Sequence, residues 1–168
     1  MIAIACIDKN NGIGKNDKLL ISIPDDMRFF REKTLNSVII MGRKTLFSFK
    51  NKEPLKNRIN IVFTKNESLK NEYNRFDNIF FVKNESELNN ILNKYNDKKV
   101  FIIGGESIYN KFIDKCDEVL ITKVNKEFDA DTFFPKLEDY GFKIINESEI
   151  FYYDDISYQF ITYSKIGK

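Results

Sequence analysis

The chain has 168 residues, a formal net charge of +2 and 14% aromatic residues, which predicts one folded domain over residues 1–168 with a substantial hydrophobic core. Acidic residues are spread among its 27 Lys and Arg residues, a balance that is not typical of nucleic-acid-binding proteins. The apolar run at residues 1–7 ends at Asp8 and has no basic leader, so we expect a strand there, not a signal peptide or a membrane span.

Short runs of Val, Ile and Phe, separated by segments of helical periodicity, predict a buried and mostly parallel sheet. The runs lie at Ile2–Ile7, 38–41, Ile59–Phe63, Ile79–Val82, 100–103 and 119–124. Two further segments, 142–151 and 158–164, flank Asp154-Asp155 and predict an antiparallel hairpin at the C-terminal edge. The sequence therefore predicts a single-domain α/β fold with about eight strands and helices on both faces of the sheet.

Local signals predict where three helices begin. Ser22-Ile-Pro24-Asp25 resembles a capping box before a helix at residues 24–33, with Pro in its first turn. Asn84-Glu-Ser-Glu87 predicts the cap of a second helix that ends near Tyr95. The third begins after Gly104-Gly105 and carries three apolar side chains on one side: Ile108, Tyr109 and Phe112.

Asp25 and Asp26 open the first of these helices. For Asp25 we expect only that its charge complements the helix dipole. Asp26 shares a helix face with Phe29 and Phe30, because residues three and four apart are neighbours. A buried carboxylate without a partner is costly, so Asp26 should have one, and a ligand that offers paired donors would serve.

Two of the predicted strands end in glycine before a predicted helix. Gly42-Arg43-Lys44-Thr45 combines the N–H groups of a helix start with cations and a hydroxyl, which favours a phosphate site, although an ordinary turn with surface cations explains it equally well. Gly104-Gly105 allows the backbone to approach a ligand closely, but it is not a dinucleotide fingerprint. Because open α/β sheets bind ligands beyond the carboxyl ends of their strands, the two turns together predict a site there.

The residue types limit the chemistry. The chain has no histidine, which excludes His-based triads, His-ligated zinc and a histidine proton shuttle. Cys6 and Cys116 have no metal-ligand spacing, so no metal site is predicted, and we expect both to be reduced and buried, as in cytoplasmic proteins. Arg58, before the strand at Ile59–Phe63, is either a surface cation or a group that holds an anion.

Six motifs in order resemble the dihydrofolate reductase family from the first strand to the last. They are Ile-Ala-Cys-Ile at residues 4–7, Gly12-Ile13-Gly14, Ile-Pro-Asp-Asp26-Met-Arg-Phe-Phe30, Ile-Met-Gly-Arg-Lys-Thr45, Ile-Gly-Gly-Glu-Ser-Ile-Tyr109 and Asp131-Thr-Phe-Phe-Pro135. The resemblance implies a cytoplasmic, monomeric oxidoreductase of one-carbon metabolism that reduces 7,8-dihydrofolate with NADPH. It also implies binding of antifolate inhibitors, and neither a nucleic-acid nor a membrane partner.

The resemblance also implies roles for individual residues. Asp26 would bind the amino-pyrimidine edge of the pterin, together with Thr122 through water, and Tyr109 would lie near the hydride path. Arg58 would hold the α-carboxylate of the glutamate tail. The rest of the substrate pocket would be apolar: Ile4, Ala5, Met27, Phe30, Phe49, Leu55 and Ile103.

For the cofactor, the resemblance implies that cations and hydroxyls hold the pyrophosphate and the 2′-phosphate, which favours NADPH over NADH: Arg43, Lys44, Thr45, Thr64 and Lys65. Further cofactor contacts would come from the first strand, the loop after it and the two glycine turns: Cys6, Ile13, Gly14, Leu19, Gly42, Gly104, Gly105, Glu106, Ser107 and Ile108. The Gly104–Gly105 peptide bond would be cis.

The chain departs from the family where Leu19-Leu20-Ile21 replaces the usual Leu-Pro-Trp, and it contains no Trp. Ile21 can pack over the substrate but has no N–H to donate. We expect the loop at residues 9–23 to close differently and the water network to be rearranged. The family's usual Arg near residues 51–52 is also missing, and Lys52 is the candidate to replace it.

Two other interpretations remain open. A pyrimidine reductase of riboflavin biosynthesis shares this fold and NADPH, but that family lacks the helix carboxylate in this setting. A nucleotide-binding module without catalysis is the second alternative.

Overall fold

The predicted strands and helices form in the computed structural model of the chain, which describes residues 1–166. The strands are β1 Ile2–Ile7, β2 Gly12–Lys15, β3 Lys18–Leu19, β4 Val38–Gly42, β5 Ile59–Phe63, β6 Ile79–Val82, β7 Val100–Gly104, β8 Glu118–Val124, β9 Thr132–Phe133, β10 Phe142–Glu147, β11 Phe151–Tyr153 and β12 Ile156–Lys165. The α-helices are α1 Pro24–Thr34, α2 Arg43–Ser48, α3 Ser68–Glu72, α4 Glu85–Leu92 and α5 Glu106–Phe112. Short 3-10 turns occupy Lys50–Lys52, Asn93–Tyr95, Ile113–Lys115 and Leu137–Tyr140.

The central sheet has the strand order β10-β12-β8-β1-β7-β4-β5-β6, and β11 also pairs with β12. The strands from β8 to β6 in this order run parallel, whereas β12 is antiparallel to its three neighbours. The mostly parallel α/β sheet of eight main strands with an antiparallel C-terminal edge is thereby confirmed. A second, three-stranded sheet of order β3-β2-β9 lies beside it; its strands are too short to have been predicted.

Both faces of the central sheet are covered, which explains the uninterrupted apolar runs. Within β4, Ile40 belongs to one core cluster and Ile39 and Met41 to the other, and all three are fully buried. Helices α4 and α5 contribute Leu88 and Phe112 to the first cluster. On the opposite face the second cluster takes its helical residues from α1, α2 and α3: Phe29, Phe30, Leu46, Phe47 and Leu69. Among residues 1–166 we find no helix with the length and apolar character that a membrane crossing requires.

Two local predictions were wrong. Ser22 does not cap α1: the residue before Pro24 is Ile23, which makes no side-chain cap, and the Ser22 hydroxyl donates to the sulfur of Met27. Residues 142–151 are two strands rather than one: β10 ends at Glu147, Ser148 bonds to the backbone of Phe160 through its own N–H and its hydroxyl, and β11 begins at Phe151. β11 forms the hairpin with the beginning of β12, whereas β10 pairs with the end of β12.

Two other helix predictions, one cap and one buried side, are confirmed. The backbone N–H of Glu87 donates to Asn84 Oδ1 at 2.9 Å, which caps α4, and Ile108, Tyr109 and Phe112 form the buried side of α5.

Candidate active site

Asp26 lies in the first turn of α1, where the helix packs over the centre of the sheet. The Thr122 hydroxyl on β8 donates to Asp26 Oδ1 at 2.5 Å. Thr122 is buried and pairs in register with Cys6 on the parallel strand β1, and the Cys6 thiol also donates to Asp26. The carboxylate therefore has two protein donors, and Thr122 contacts it directly.

Burial and hydrogen bonding have opposite effects on the pKa of Asp26. Burial raises the pKa of Asp26 because it disfavours the charged form, while the hydrogen bonds from Thr122 and Cys6 lower it. The rise wins. Burial, together with the charge and hydrogen bond of Asp26, also raises the pKa of the Cys6 thiol. Cys6 therefore stays protonated and remains a hydrogen-bond donor to the Asp26 carboxylate.

Asp25 has a structural role that its place in the helix did not reveal. The Tyr158 hydroxyl on β12 donates to Asp25 Oδ2 at 2.8 Å, and Arg28 pairs with the other oxygen. Burial and the bond to Asp25 raise the pKa of Tyr158 to about 12. Phe29 of α1 also stacks against Phe160 of β12, with ring centroids 4.6 Å apart. These contacts fix the start of α1 on the antiparallel edge and so hold Asp26 over β8.

Most residues expected to line the substrate pocket lie together. Ile4 is buried in the cluster between α1 and the sheet, and four half-buried side chains pack against that cluster: Phe30, Phe49, Leu55 and Ile103. Ala5 packs on the opposite cluster. Met27 belongs to neither cluster and is 59% exposed at the mouth of the site.

Arg58 is held at the far end of this apolar region. Its Nε donates to the carbonyl of Lys56 at 2.9 Å, and its Nη1 to the hydroxyl of Thr34, the last residue of α1, at 3.3 Å. Burial and the positive charge of Arg31 lower the pKa of Arg58. Guanidinium groups suit the bidentate binding of carboxylates, and the combined positive charge of Arg31 and Arg58 favours an anion here. Arg31 was not predicted as a site residue, and the signal that could have pointed to it is the scarcity of Arg in this chain. Lys52 lies over the Phe47 ring, 5.1 Å from its centroid.

The residues expected to hold the phosphates meet at the carboxyl edge of the sheet. Gly42 pairs with Phe63, and Met41 with Gly104, so β4, β5 and β7 end side by side. A Cβ placed on Gly105 would be 4.0 Å from Thr45 Oγ1, which brings the two glycine turns together. Arg43, Lys44 and Lys65 are exposed at this edge, and Thr64 is half-buried there.

Some residues at this edge also contact other segments. Lys44 Nζ lies 3.2 Å from Asp17 in the loop between β2 and β3, and Glu106 accepts from the backbone N–H of Phe133 at 3.3 Å. Ile108 is buried beneath Gly42, and Ser107 is exposed. Residues at the carboxyl edge of the central sheet are thus connected to the small sheet.

Gly104 and Tyr109 form one packed unit. The Gly104–Gly105 peptide bond is cis, as the resemblance implied, and Gly104 has a φ of +120° that side chains rarely adopt. The Tyr109 ring lies against Gly104, where a Cβ would come within 3.2 Å of it. Its hydroxyl donates to the carbonyl of Ile4 at 2.7 Å. Burial raises the pKa of Tyr109, so the phenol stays neutral and serves as a fixed donor beside the glycine turn.

The loop between β1 and α1 borders a small cleft next to Cys6. The cleft is lined by Cys6, Ile13, Leu19, Ile21, Val124 and Phe128, among others. Gly14 is buried, and a Cβ there would meet the Lys18 carbonyl at 2.9 Å. Leu19 is 73% exposed, whereas Ile21 is half-buried against Ile23 and its neighbours. The residue that replaces the family Trp thus lies on the wall between the loop and the site of Asp26.

Comparison with known proteins identifies the family. The dihydrofolate reductase family model matches residues 1–165. The chain is 34% identical over 148 residues to a dihydrofolate reductase of Lactococcus lactis subsp. lactis, covering 88% of this chain and 85% of that protein. It is 31% identical over 165 residues to that of Buchnera aphidicola subsp. Baizongia pistaciae, covering 98% and 95%. The Sus scrofa protein of the same name is 31% identical over 183 residues, covering 96% of each. The chain belongs to the dihydrofolate reductase family.

Proposed function

We propose that this chain reduces 7,8-dihydrofolate to 5,6,7,8-tetrahydrofolate with NADPH, and that Asp26 anchors and polarises the pterin. The observation that carries the proposal is the half-buried Asp26 carboxylate, held by Thr122 on β8 at 2.5 Å and by the Cys6 thiol on β1. Neither the riboflavin-pathway reductase nor the non-catalytic module is favoured by a feature of this site.

Asp26 acts by accepting hydrogen bonds. A carboxylate presents two acceptor oxygens, which fit the paired donors of the amino-pyrimidine edge. In this binding mode Asp26 does not reach the ring nitrogen that is protonated, so water delivers that proton while Asp26 orients and polarises the ring. Thr122 keeps the carboxylate in one rotamer. The raised pKa of Asp26 supports a pH-dependent rate.

The apolar cluster and the arginine pair bind the rest of the substrate. Ile4, Phe30 and Ile103 lie where the pterin and aminobenzoyl rings would pack. Arg58, oriented by Lys56 and Thr34, would hold the α-carboxylate of the glutamate tail, and the nearby Arg31 adds positive charge. We expect antifolates, which offer similar donors and rings, to bind the same residues.

The carboxyl edge of the sheet fits NADPH, which when bound supplies a hydride to a pterin ring carbon. Arg43, Lys44, Thr45, Thr64 and Lys65 offer cations and hydroxyls for its phosphates, and the glycine turns leave room for close backbone approach. Cys6, Ile13, Gly14 and Leu19 would border the nicotinamide, and Cys6, Ile13 and Leu19 lie together around the small cleft. Tyr109 orients the Gly104–Gly105 turn through its bond to the Ile4 carbonyl.

We also propose that residues 1–168 act as one domain and as a monomer in the cytoplasm. A protonated thiol at Cys6, bonded to the functional carboxylate, is compatible with a reducing compartment.

The test follows NADPH absorbance at neutral pH with and without dihydrofolate. The wild type should oxidise NADPH only when dihydrofolate is present. Asp26→Asn keeps the shape but loses the charge, and we expect its kcat/KM to fall roughly 10²- to 10⁴-fold. Asp155→Asn, an exposed acid in the β11–β12 turn, is the charge-matched control. No oxidation by the wild type would refute the assignment, and strong turnover by Asp26→Asn would refute the role of Asp26.

A further inference from the structure

The α2–β5 segment, residues 49–58, carries the part of the proposed site that would bind the tail of the substrate. Phe49 and Leu55 pack against the core cluster beneath α1, and Arg58 Nη1 donates to the Thr34 hydroxyl at the end of that helix. Apart from one 3-10 turn, the segment lies outside helices and strands. Its backbone groups therefore need partners elsewhere in the chain.

Asn60 on β5 supplies the first of these partners. Its side chain is fully buried. Its Oδ1 accepts from the Leu55 N–H at 3.0 Å, and its Nδ2 donates to the carbonyls of Leu55 at 3.0 Å and Arg58 at 3.1 Å. Because a buried amide is costly unless it is hydrogen-bonded, these bonds fix the turn from Leu55 to Arg58 against the sheet.

Asn78 donates to the same two carbonyls from another element. It lies in the α3–β6 turn, residues 73–78, and its Nδ2 is 3.1 Å from the carbonyl oxygen of Leu55 and 3.2 Å from that of Arg58. A carbonyl oxygen has two lone pairs, so each can accept from both amides at once. The backbone carbonyl of Asn78 also accepts from the Asn60 N–H at 2.9 Å, which keeps the two side chains side by side.

The α3–β6 turn also contacts the earlier part of the α2–β5 segment. The Tyr73 hydroxyl donates to the Lys52 carbonyl at 2.6 Å, and Arg75 Nη2 lies 3.8 Å from Glu53 Oε1. The ion pair is exposed and contributes little. The hydrogen bonds show that the turn follows the segment along its length, and Asn78 is the contact nearest to the guanidinium of Arg58.

The bonds of Asn78 bear on the orientation of the Arg58 side chain. Arg58 Nε donates to the Lys56 carbonyl at 2.9 Å, and Lys56 lies inside the turn that the two amides close. A shift of this turn therefore moves the carbonyl that orients the guanidinium. Bidentate binding of a carboxylate requires the planar fork of Arg to face it, so a small rotation of that fork weakens the contact.

We propose that Asn78 is a positioning residue for the tail of the substrate: by holding the carbonyls of Leu55 and Arg58, it orients the Arg58 guanidinium toward the α-carboxylate of the glutamate. This inference rests on the proposed function, because it takes dihydrofolate as the substrate. No predicted site residue lies in the α3–β6 turn, so the proposal adds a new element to the site.

Asn78→Leu removes the donor and keeps a side chain of similar size. Both carbonyls retain their bonds from Asn60, so we expect the variant to fold. Asn60→Leu is a poorer test, because it would also leave the Leu55 N–H without its acceptor. Asn74→Leu makes the same substitution at an exposed position of the same turn and is the matched control.

Two substrates separate positioning from general damage. They are dihydrofolate and 6-methyl-7,8-dihydropterin, which has the same reducible ring but no aminobenzoylglutamate tail. For dihydrofolate, we expect Asn78→Leu to raise KM about five- to tenfold and to leave kcat within about twofold of the wild type. For the tail-less substrate, kcat/KM should change less than about twofold, and Asn74→Leu should change neither substrate's constants. An equal loss for both substrates would overturn the proposal.

A double-mutant cycle tests whether Asn78 acts through Arg58. We expect Arg58→Ala to lower the preference for dihydrofolate over the tail-less substrate roughly 10- to 100-fold. In that background, adding Asn78→Leu should lower the preference by less than about twofold, because coupled residues are not additive. Additive losses would show that Asn78 does not act through Arg58 and would overturn the proposal.

A measurement on the wild type covers the case in which Asn78→Leu does not fold. In hydrogen exchange followed by NMR, without ligand, the side-chain amide protons of Asn78 should exchange much more slowly than those of the exposed Asn74. Equally rapid exchange would overturn the proposal.

The failure of this proposal differs from that of the proposed function. If the wild type does not oxidise NADPH with dihydrofolate, the proposed function fails. If the wild type is active and Arg58→Ala loses the preference for dihydrofolate while Asn78→Leu keeps it, only the role of Asn78 fails.

Discussion

Asp26 shows how a functional side chain is maintained at a cost to the fold. Burial disfavours its charged form, and two short-range donors, Thr122 and Cys6, recover part of that cost. The remaining cost keeps the pKa of Asp26 above its ordinary value. The site thus keeps a carboxylate that is less stable as an anion than an exposed one, which favours a ligand that brings further donors.

The cost of burying the charged Asp26 carboxylate predicts how Asp26→Asn changes the stability of the fold. Because the folded protein holds the Asp26 proton more tightly than the unfolded chain, the contribution of this group to the free energy of unfolding is full below the ordinary Asp pKa of about 3.9 and is lost as pH rises through the raised pKa. At pH 7 Asp26→Asn should therefore unfold at a higher temperature, roughly 2–4 °C higher for each kcal/mol recovered.

Thermal unfolding followed by circular dichroism at pH 7 and near pH 3 measures this effect, and the gain should disappear at the lower pH. Asp25→Asn is the neighbouring control, and it should not gain stability because Asp25 is exposed and bonded to Tyr158 and Arg28. A lower Tm for Asp26→Asn at pH 7 would contradict the account.

Cys6 offers a second test at this scale. Its thiol donates to the charged carboxylate, which lowers the pKa of Asp26. Cys6→Ala removes the donor and should shift the Asp26 limb of the kcat/KM profile to higher pH. Cys6→Ser keeps a donor in the same place and should leave the profile close to that of the wild type. If Ala and Ser variants gave the same profile, the thiol would have no role in tuning Asp26.

At the scale of elements, the β1–α1 loop carries the main departure from the family. Ile21 occupies the place of the family Trp and packs beside Ile23, Val124 and Phe128. The same loop, residues 8–23, is tied to the β8–β9 loop, residues 125–131, by backbone bonds and by the Asp8 carboxylate, which accepts from the Phe128 N–H. Backbone hydrogen bonds and Asp8 therefore hold the loop in place. At position 21 the loop presents the apolar side chain of Ile21.

We expect Ile21→Trp to change proton delivery, since it adds an N–H donor to a wall that has only apolar groups at this position. The rate at high pH, where protonation limits turnover, should change about two- to tenfold, the range of one hydrogen bond. Ile21→Phe is the control, because it adds aromatic bulk without a donor. For both variants, the rate of hydride transfer in the pre-steady state and the steady-state turnover rate are measured across pH. Unchanged rates and affinities in Ile21→Trp would refute the rearranged-water hypothesis.

At the scale of the whole molecule, the parallel part of the sheet joins the substrate and cofactor regions. Strand β1 contributes Cys6 and the Ile4 carbonyl, while β4 and β7 end at the glycine turns. All of these strands share the two core clusters. The site is thus assembled from elements that have no separate core of their own.

A single cooperative unfolding transition follows from this arrangement. Circular dichroism and Tyr fluorescence should report the same Tm, because the strands that carry the site share the two large core clusters. NADPH at about 100 times its Kd should add about 2.7 kcal/mol to the free energy of unfolding and raise both transitions together by roughly 5–10 °C. Two separated transitions, or a shift in one probe only, would contradict the single domain.

Much of the fold was predictable because its signals are local. Runs of Val, Ile and Phe buried on both faces of a parallel sheet are continuous in sequence, so β1, β4 and β5 were predicted to within a residue. The cap of α4 was predictable because Asn84 and Glu87 are only three residues apart in the chain. Asp26 was singled out for the same reason, since its spacing from Phe29 and Phe30 places a carboxylate on an apolar face.

The sequence by itself determined the α/β class, the positions of the long strands and helices, and, through its six ordered motifs, the family. Only the tertiary structure decided the partners: Thr122 with Cys6 around Asp26, Arg31 beside Arg58, and Asp8 with Phe128. These contacts join residues that lie far apart in the chain, and their geometry depends on strand order and loop closure. Hydrophobic periodicity reports which face of its own element a residue occupies, and it carries no information on what the neighbouring element places opposite.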